Sequence, residues 1–503
     1  MRLLGIRSAV LTSLLVCAAL AATILGCLPT RGDVSPDGRT FYFSMMVPTE
    51  KENTAGSAVL ALDAETGRVR ALTDSVGGGF WCCLSPDGKY LTYMGPDGGV
   101  VSFMDLDKGI ATPLTGALDG YGYPRLIQAG EDEKALGVLV KTLRGNEDKA
   151  GGHWVVLAQG GAVPVPDLEG YGASLGEPAV IAGGTLVLPV YKVLSSDEAD
   201  KNLPKKYESA VIVLDVSEPL KVTKDDAAKP AAPPAPPKAT VLAKWTSEGS
   251  APPTIDVAIT SKDSKADRMV AAVSGQGADK ETTQFFELFP LKKDAPKLLF
   301  EAAKAGSPQW TPDGQAIVYL RANAANNTWN DLVLWRPEQK EPLVLAHMQG
   351  KTSDYDDPIV AWRWLANGRL RVFNVSRDGL RQVDTAADGT GAKARFLRSD
   401  RLDLQAALTL AYQARHAAPP FDKLPLDQLE EKAKPSLEAA AAAVKALDAA
   451  YEKLWLVAAE WEDVPALPDV PPPPPKPAAA PPETVTPPAP TGATAKPAPR
   501  PAP

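Results

Sequence analysis

The residues with the most overt chemical promise are Gly172-Ala173-Ser174-Leu175-Gly176, with His347 and His416 downstream. They match the G-x-S-x-G string on which hydrolases present a serine nucleophile. That chemistry needs a strand, the serine and then a helix, so that the hydroxyl stands exposed on a sharp turn. Here Glu177-Pro178 follows, and a proline disfavours helical geometry in the residue before it, so no helix begins on schedule. A histidine-based metal centre is disfavoured as well, because the chain has 3 His in all, His153, His347 and His416, scattered along its length. Asp354, Asp356 and Asp357 carry the oxygen ligands that calcium takes, as do Asp105 and Asp107. Both groups lack the full ligand set with its terminal Glu, and they read as acidic turn residues. Neither a Walker loop nor a dinucleotide fingerprint occurs. The expectation is no catalytic residue, no cofactor and no metal site.

Four cysteines divide into two kinds. Arg2 and Arg7 precede an uncharged apolar run from Ala9 to Leu25, which reads as a secretory signal over residues 1–26 and takes Cys17 away with it. Its ending, Ile24-Leu25-Gly26-Cys27, resembles a bacterial lipobox. The resemblance implies that Cys27 is diacylated on sulfur, becomes the new N-terminus and is acylated there too. An ordinary signal peptide cut nearby and an uncleaved anchor are the alternatives. Several acyl chains on one residue give stable anchoring, at about 0.8 kcal/mol per buried CH₂. Leu28, where Asp would retain a lipoprotein at the inner membrane, implies an outer-membrane destination, with the chain on the periplasmic or surface face of the cell envelope. The adjacent Cys82 and Cys83 point to opposite faces if they lie on a strand, so they read as small buried residues; a vicinal disulfide would need a strained turn. Loss of the signal takes the formal net charge from −8 to −10, which argues against nucleic acid as a partner.

The elements that must position these groups follow from one recurring stretch. In Leu84-Ser85-Pro86-Asp87-Gly88, Pro presets the turn, Asp bonds back to the backbone and Gly accepts positive φ. Tyr90-Leu91-Thr92-Tyr93 then suits a strand. The unit recurs at Ser35-Pro36-Asp37-Gly38, at Trp310-Thr311-Pro312-Asp313-Gly314 and, degenerately, at Trp364-Leu365-Ala366-Asn367-Gly368. Trp310 and Trp364 read as blade-packing residues. A second hairpin trails each copy, as in Leu62-Asp63-Ala64-Glu65-Thr66-Gly67 and Met104-Asp105-Leu106-Asp107-Lys108-Gly109. Two hairpins in about 50 residues make a four-stranded propeller blade.

The turn, the aromatic strand and the Asp-x-x-x-Gly hairpin together resemble the TolB-type and related WD-like β-propeller repeats of bacterial envelope proteins. The resemblance covers roughly residues 33 to 400 and implies a fold far more than a function, since such propellers serve as binding platforms, protease appendages and occasional enzymes. The fold expected is therefore all-β, a β-propeller of about seven, alternatively six, four-stranded blades over residues 27–400. Blades three to five, which lack the turn motif, are placed near Tyr123, Pro178 and Pro252, and blades six and seven at Pro308 and Trp362. The first strands after Cys27 are expected to pair with those near Phe396, because a propeller must close. A Pro/Ala-rich stretch at 224–238 cannot join a ladder and reads as an inserted, disordered loop.

Beyond residue 400 the pattern turns helical. Leu437, Ala440, Val444, Leu447, Tyr451, Leu454, Ala458 and Trp461 make a heptad seam in a helical segment spanning 401–464. It fits packing on the propeller flank or helix-mediated self-association. Residues 465–503 are mostly Pro, Ala, Thr and Lys and read as a disordered tail. The functional expectation is a lipid-anchored binding scaffold for a protein or peptide, held at the membrane by its N-terminal lipid; the alternative is an enzyme or a saccharide or peptide site in the central channel.

Overall fold

The repeated turn closes the same way wherever it occurs. Ser35 Oγ donates to Asp37 Oδ1 at 2.5 Å, the same carboxylate accepts from Arg39 N–H at 3.0 Å, and Thr40 N–H returns to Ser35 Oγ at 2.8 Å. Ser85 with Asp87 and Thr311 with Asp313 repeat the pattern at 2.5 Å. The glycine of each turn has positive φ, from +66° to +77° at Gly38, Gly88, Gly314 and Gly368. Two of them also serve contact between blades: a Cβ on Gly38 would lie 2.1 Å from Leu365 Cδ2, and one on Gly88 would lie 2.6 Å from Pro36 Cδ. The turns of blades seven, one and two thus stack on one another, which only glycine permits.

The computed structural model describes residues 32–48, 55–73, 80–94 without 86, 101–113, 121–129, 135–142, 154–158, 161–164, 170–195 without 175 and 182, 205–220, 239–249, 252–259, 268–275, 281–289, 295–324, 329–349, 359–376, 379–397, 445 and 461–463. Outside them lie Cys27, the 224–238 insertion, His153, His416, Asp354, Asp356, Asp357, most of the helical segment and the 465–503 tail.

Seven antiparallel sheets follow in chain order. Blade one is β1 (Asp33–Val34), β2 (Thr40–Pro48), β3 (Ala55–Asp63) and β4 (Val69–Ala71). Blade two is β5 (Phe80–Leu84), β6 (Tyr90–Met94), β7 (Val101–Asp105) and β8 (Ile110–Pro113). Blade three is β9 (Tyr121–Ala129), β10 (Ala135–Thr142), β11 (Trp154–Ala158) and β12 (Gly161–Pro164). Blade four has a split inner strand, β13 (Gly172–Ala173) and β14 (Ala179–Ile181), both paired to β15 (Thr185–Ser195). β16 (Lys205–Asp215), the single helical turn α1 (Ser217–Leu220) and β17 (Ala239–Gly249) complete it. Blade five is β18 (Ile255–Ile259), β19 (Met269–Ser274), β20 (Thr282–Leu288) and β21 (Lys297–Ala303). Blade six is β22 (Ala305–Trp310), β23 (Ile317–Ala322), β24 (Trp329–Trp335) and β25 (Leu343–Gln349). Blade seven is β26 (Ile359–Trp364), β27 (Leu370–Ser376), β28 (Gly379–Thr385) and β29 (Lys393–Leu397), with a fifth strand β30 (Glu462–Asp463) on its outer edge.

The fold is thus an all-β propeller of seven blades, and its core lies in the wedges between them. Tyr42, Cys82, Leu84 and Tyr93 fill the wedge of blades one and two, while Val318, Leu334, Leu370 and Val372 fill that of blades six and seven. Trp310 packs in the wedge of blades five and six under the Arg268 guanidinium, 4.4 Å from its ring centroid.

Two expectations are corrected. Among the described residues the first strands do not pair with those near Phe396: β1 pairs with β2, and β29 pairs with β28 and β30. Side chains hold the seam in their place. Phe41 stacks on Phe373 at 4.6 Å, Arg371 donates to Gly38 O at 2.9 Å, and Arg395 donates to Ala64 O at 2.5 Å. The end of the heptad segment is not helical either. Glu462–Asp463 join the edge of blade seven, and Trp461 lies against the Arg395 guanidinium at 4.9 Å. A strand edge open to pairing and a cation facing an aromatic ring favour extended geometry at these residues.

Candidate site in the central channel

The inner strand of every blade borders one axial cavity of about 490 Å³. A charged residue interrupts several of these apolar strands: Asp33 in β1, Arg125 in β9, Asp256 in β18 and Arg363 between Trp362 and Trp364 in β26. Asp33 accepts from Val34 N–H at 2.8 Å and, across the blade boundary, from Leu84 N–H at 3.0 Å. Asp256 accepts from Glu177 N–H at 3.1 Å in blade four and from Ser307 N–H at 2.9 Å in blade six, so one carboxylate ties three blades. Glu177 and Arg125 form an ion pair at 3.7 Å, both side chains largely sheltered from solvent. Asp33 and Asp256 therefore serve as ties between neighbouring sheets, satisfying backbone donors that would otherwise be buried without partners, and the Arg125–Glu177 pair ties blades three and four.

Arg363 also borders the cavity, together with Trp362 and Gln309. Trp362 Nε1 and Gln309 Oε1 are buried without a hydrogen-bond partner.

The G-x-S-x-G string is not a nucleophile elbow. Ser174 is fully buried, its Oγ donates to Pro253 O at 3.4 Å, and the next described element is the strand β14, not a helix. Gly176 abuts the backbone of Ile255 in the next blade. His347 lies in blade six, where its Nδ1 is 2.9 Å from Asp331 Oδ1, beside Asn323. Ser174 and His347 thus occupy different blades. Asp105 is a turn former, accepting from Asp107 N–H and Lys108 N–H at 3.1 Å each, with Lys108 Nζ on its other oxygen at 2.7 Å. Among the described residues no cluster of three His, Cys, Asp or Glu is placed to hold a metal ion. Cys82 and Cys83 are buried and form no disulfide, and burial pushes both thiols upward.

Beneath the Ser174 stretch, Lys141 is 4% exposed and donates to Ser174 O at 2.8 Å. Burial lowers its ammonium from 10.5 to about 8. Between those values the unfolded chain holds a proton that the folded chain has released. Stability due to this group therefore rises with pH from about 8 to 10.5, by roughly 3 kcal/mol in full. Chemical denaturation across that window should show the rise in the native protein, and Lys141→Met should flatten it. Parallel pH profiles for the two would remove Lys141 as the cause.

Sequence reasoning missed Arg125, Glu177, Gln309, Trp362 and Arg363 as neighbours of one cavity. The available mark was a charged residue inside an apolar inner strand, which says nothing of where seven distant strands converge.

No family model matches the chain, and no curated protein matches it. Solved structures with a similar trace include TolB from Acinetobacter baumannii, at 8% identity and TM-score 0.40, covering 72% of this chain and 64% of that one. The β-propeller domain of the Trilobed protease from Pyrococcus furiosus aligns at 9% identity and TM-score 0.41, over 71% of this chain and 92% of that one. Oligogalacturonate lyase from Vibrio parahaemolyticus aligns at 12% identity and TM-score 0.41, over 69% and 86%. The chain thus spans less than two thirds of the TolB structure's length, and at such scores the likenesses say nothing of activity.

Proposed function

We propose that this chain is a cell-envelope binding propeller, tethered through an acylated Cys27, whose channel mouth and surrounding loops receive a protein or peptide partner. The observation that carries binding over turnover is the engagement of the channel's acids. Of the cavity-lining acids, Asp33 holds the Leu84 N–H of the next blade and Glu177 is paired with Arg125; Asp256, next to the cavity-lining Val257, holds N–H groups of two further blades. Carboxylates so held form a rigid wall whose oxygens are already engaged within the protein. The cavity volume favours a second reading, a small-molecule site, since 300–1,000 Å³ is the range of such pockets.

The anchor bears on how a partner arrives. Gly32 borders the cavity and stands five residues after Cys27. That length reaches at most about 18 Å when extended, so acylation at Cys27 would keep the channel wall close to the bilayer.

Two experiments test the reading. Metabolic labelling with a clickable fatty acid in the native host should mark the wild-type chain and fail to mark Cys27→Ser; equal labelling of both would refute the anchor. Crosslinking in intact envelopes should trap a partner on photoreactive residues placed at the channel mouth and not at the outer edge of β12. Absence of any channel-mouth adduct would refute the scaffold.

A further inference from the structure

The seam between blades seven and one is a connected polar network. Arg371 donates to Gly38 O at 2.9 Å and to Asp384 at 2.9 and 2.7 Å. Gln382, fully buried, donates through Nε2 to Asp384 Oδ1 at 3.4 Å and accepts on Oε1 from Arg395 at 3.2 and 3.0 Å. Arg395 then crosses to blade one, donating to Ala64 O at 2.5 Å and to Glu65 O at 3.4 Å. This arginine is 4% exposed, and its hydrogen bonds all go to neutral amide oxygens. A buried cation held by neutral acceptors depends on staying dry, because water competes for the same donors. Against it lies Trp461, whose ring centroid is 4.9 Å from the guanidinium and which is itself 40% exposed. The ring therefore stands between that cation and solvent.

We infer that residues 461–463 are a releasable clasp on the ring's closing seam. Seated, Trp461 shields Arg395 and keeps the network dry; lifted, it admits water to Arg395 and loosens blade seven from blade one. The seating is weak by construction. β30 pairs only Asp463 with Lys393 and Glu462 with Ala394, where strands usually run to about five or six residues. The contact of ring and cation sits partly in water, where such attractions are at their weakest. Its geometry also has a rival, since Trp461 ends the heptad spacing of Tyr451, Leu454 and Ala458, and a helical turn at 461 excludes the extended backbone of β30. Drawing this residue into a helix therefore unseats the clasp, as does a pull on the chain at either side of it. By linkage the coupling is reciprocal, so a loosened seam unseats the clasp in turn. The clasp does not depend on what the channel binds.

Hydrogen exchange on the full chain in detergent, read by mass spectrometry of its peptides, tests the clasp. In the wild type the amides of residues 461–463 should exchange at least tenfold faster than those of β28, because the clasp opens before the blade does. Equal protection overturns its release. Trp461→Ala should accelerate exchange at least fivefold in β2 and β27, and less than twofold in β10 and β19 of blades three and five. Unchanged exchange in β2 and β27 overturns the clasp, and so does equal acceleration in all four strands, the mark of a general loss of stability. Trp461→Phe, which keeps a ring for the guanidinium, should stay within twofold of wild type at the seam; a loss as large as with alanine overturns the role of the ring. Phe373→Ala loosens the seam without touching the clasp and should accelerate exchange in residues 461–463 at least threefold. Phe285→Ala, equally buried at blades five and six, should leave those residues unchanged. Unaltered exchange at 461–463 in Phe373→Ala breaks the coupling.

Discussion

Phe373→Ala is expected to lower the free energy of unfolding by about 3–5 kcal/mol, the range for deleting a buried aromatic ring, and to loosen one seam of the propeller before the others. Phe373 and Phe41 are both fully buried and lie nearly parallel, 5° apart in plane, in the boundary between the last blade and the first. Every other boundary is crossed by the chain itself. This one depends on the ring stack, on Arg371 reaching Gly38 O, on Arg395 reaching Ala64 O and on Leu365 seated over Gly38. Hydrogen exchange on the variant should accelerate first in β2 and β27. Phe285→Ala provides the control, since Phe285 is equally buried in the wedge of blades five and six. It should cost a similar amount without favouring the first-to-last seam, and identical exchange patterns would show that the seam has no special weakness.

Gly176→Ala is expected to abolish folding or to cost more than 4 kcal/mol, a size that marks a specific steric failure. An added Cβ would lie 1.7 Å from Ile255 O and 2.2 Å from its carbonyl carbon, and these are backbone atoms of the next blade's inner strand. A flexible side chain could turn away; a paired strand cannot. Gly109→Ala separates collision from backbone preference, because Gly109 has φ +65° with nothing within 4 Å of an added Cβ. It should cost about 1–2 kcal/mol, the penalty of a left-handed residue with a side chain. Thermal unfolding of the pair gives the contrast, and a stable Gly176→Ala protein would mean that blades four and five tolerate separation.

The number of blades was legible because turn chemistry is local. Ser35, Asp37 and Gly38 close their hairpin with bonds spanning two to five residues, and Thr311, Asp313 and Gly314 do the same. Blade four, which lacks the motif, could be placed only from its apolar runs, and its split inner strand was not foreseen. The ring's closure was misread for the opposite reason. Arg371 and Arg395 bond to carbonyl oxygens 333 and 331 residues away, and an arginine that grips a distant backbone looks like any surface arginine in sequence. The channel wall was illegible on the same ground. The serine string, in contrast, could be discounted from Pro178 alone, and the structure gives the mechanism: the stretch is packed against a neighbouring backbone, with its hydroxyl turned inward.

The seam without a shared strand has an evolutionary consequence. Where a propeller closes by lending one strand from its end to its beginning, copying or deleting a repeat must keep that loan intact. Here six sheets are continuous stretches of chain, and the seventh borrows only the two residues of β30. Tandem duplication of a whole unit would leave no described strand orphaned and would need only a new rim of side chains.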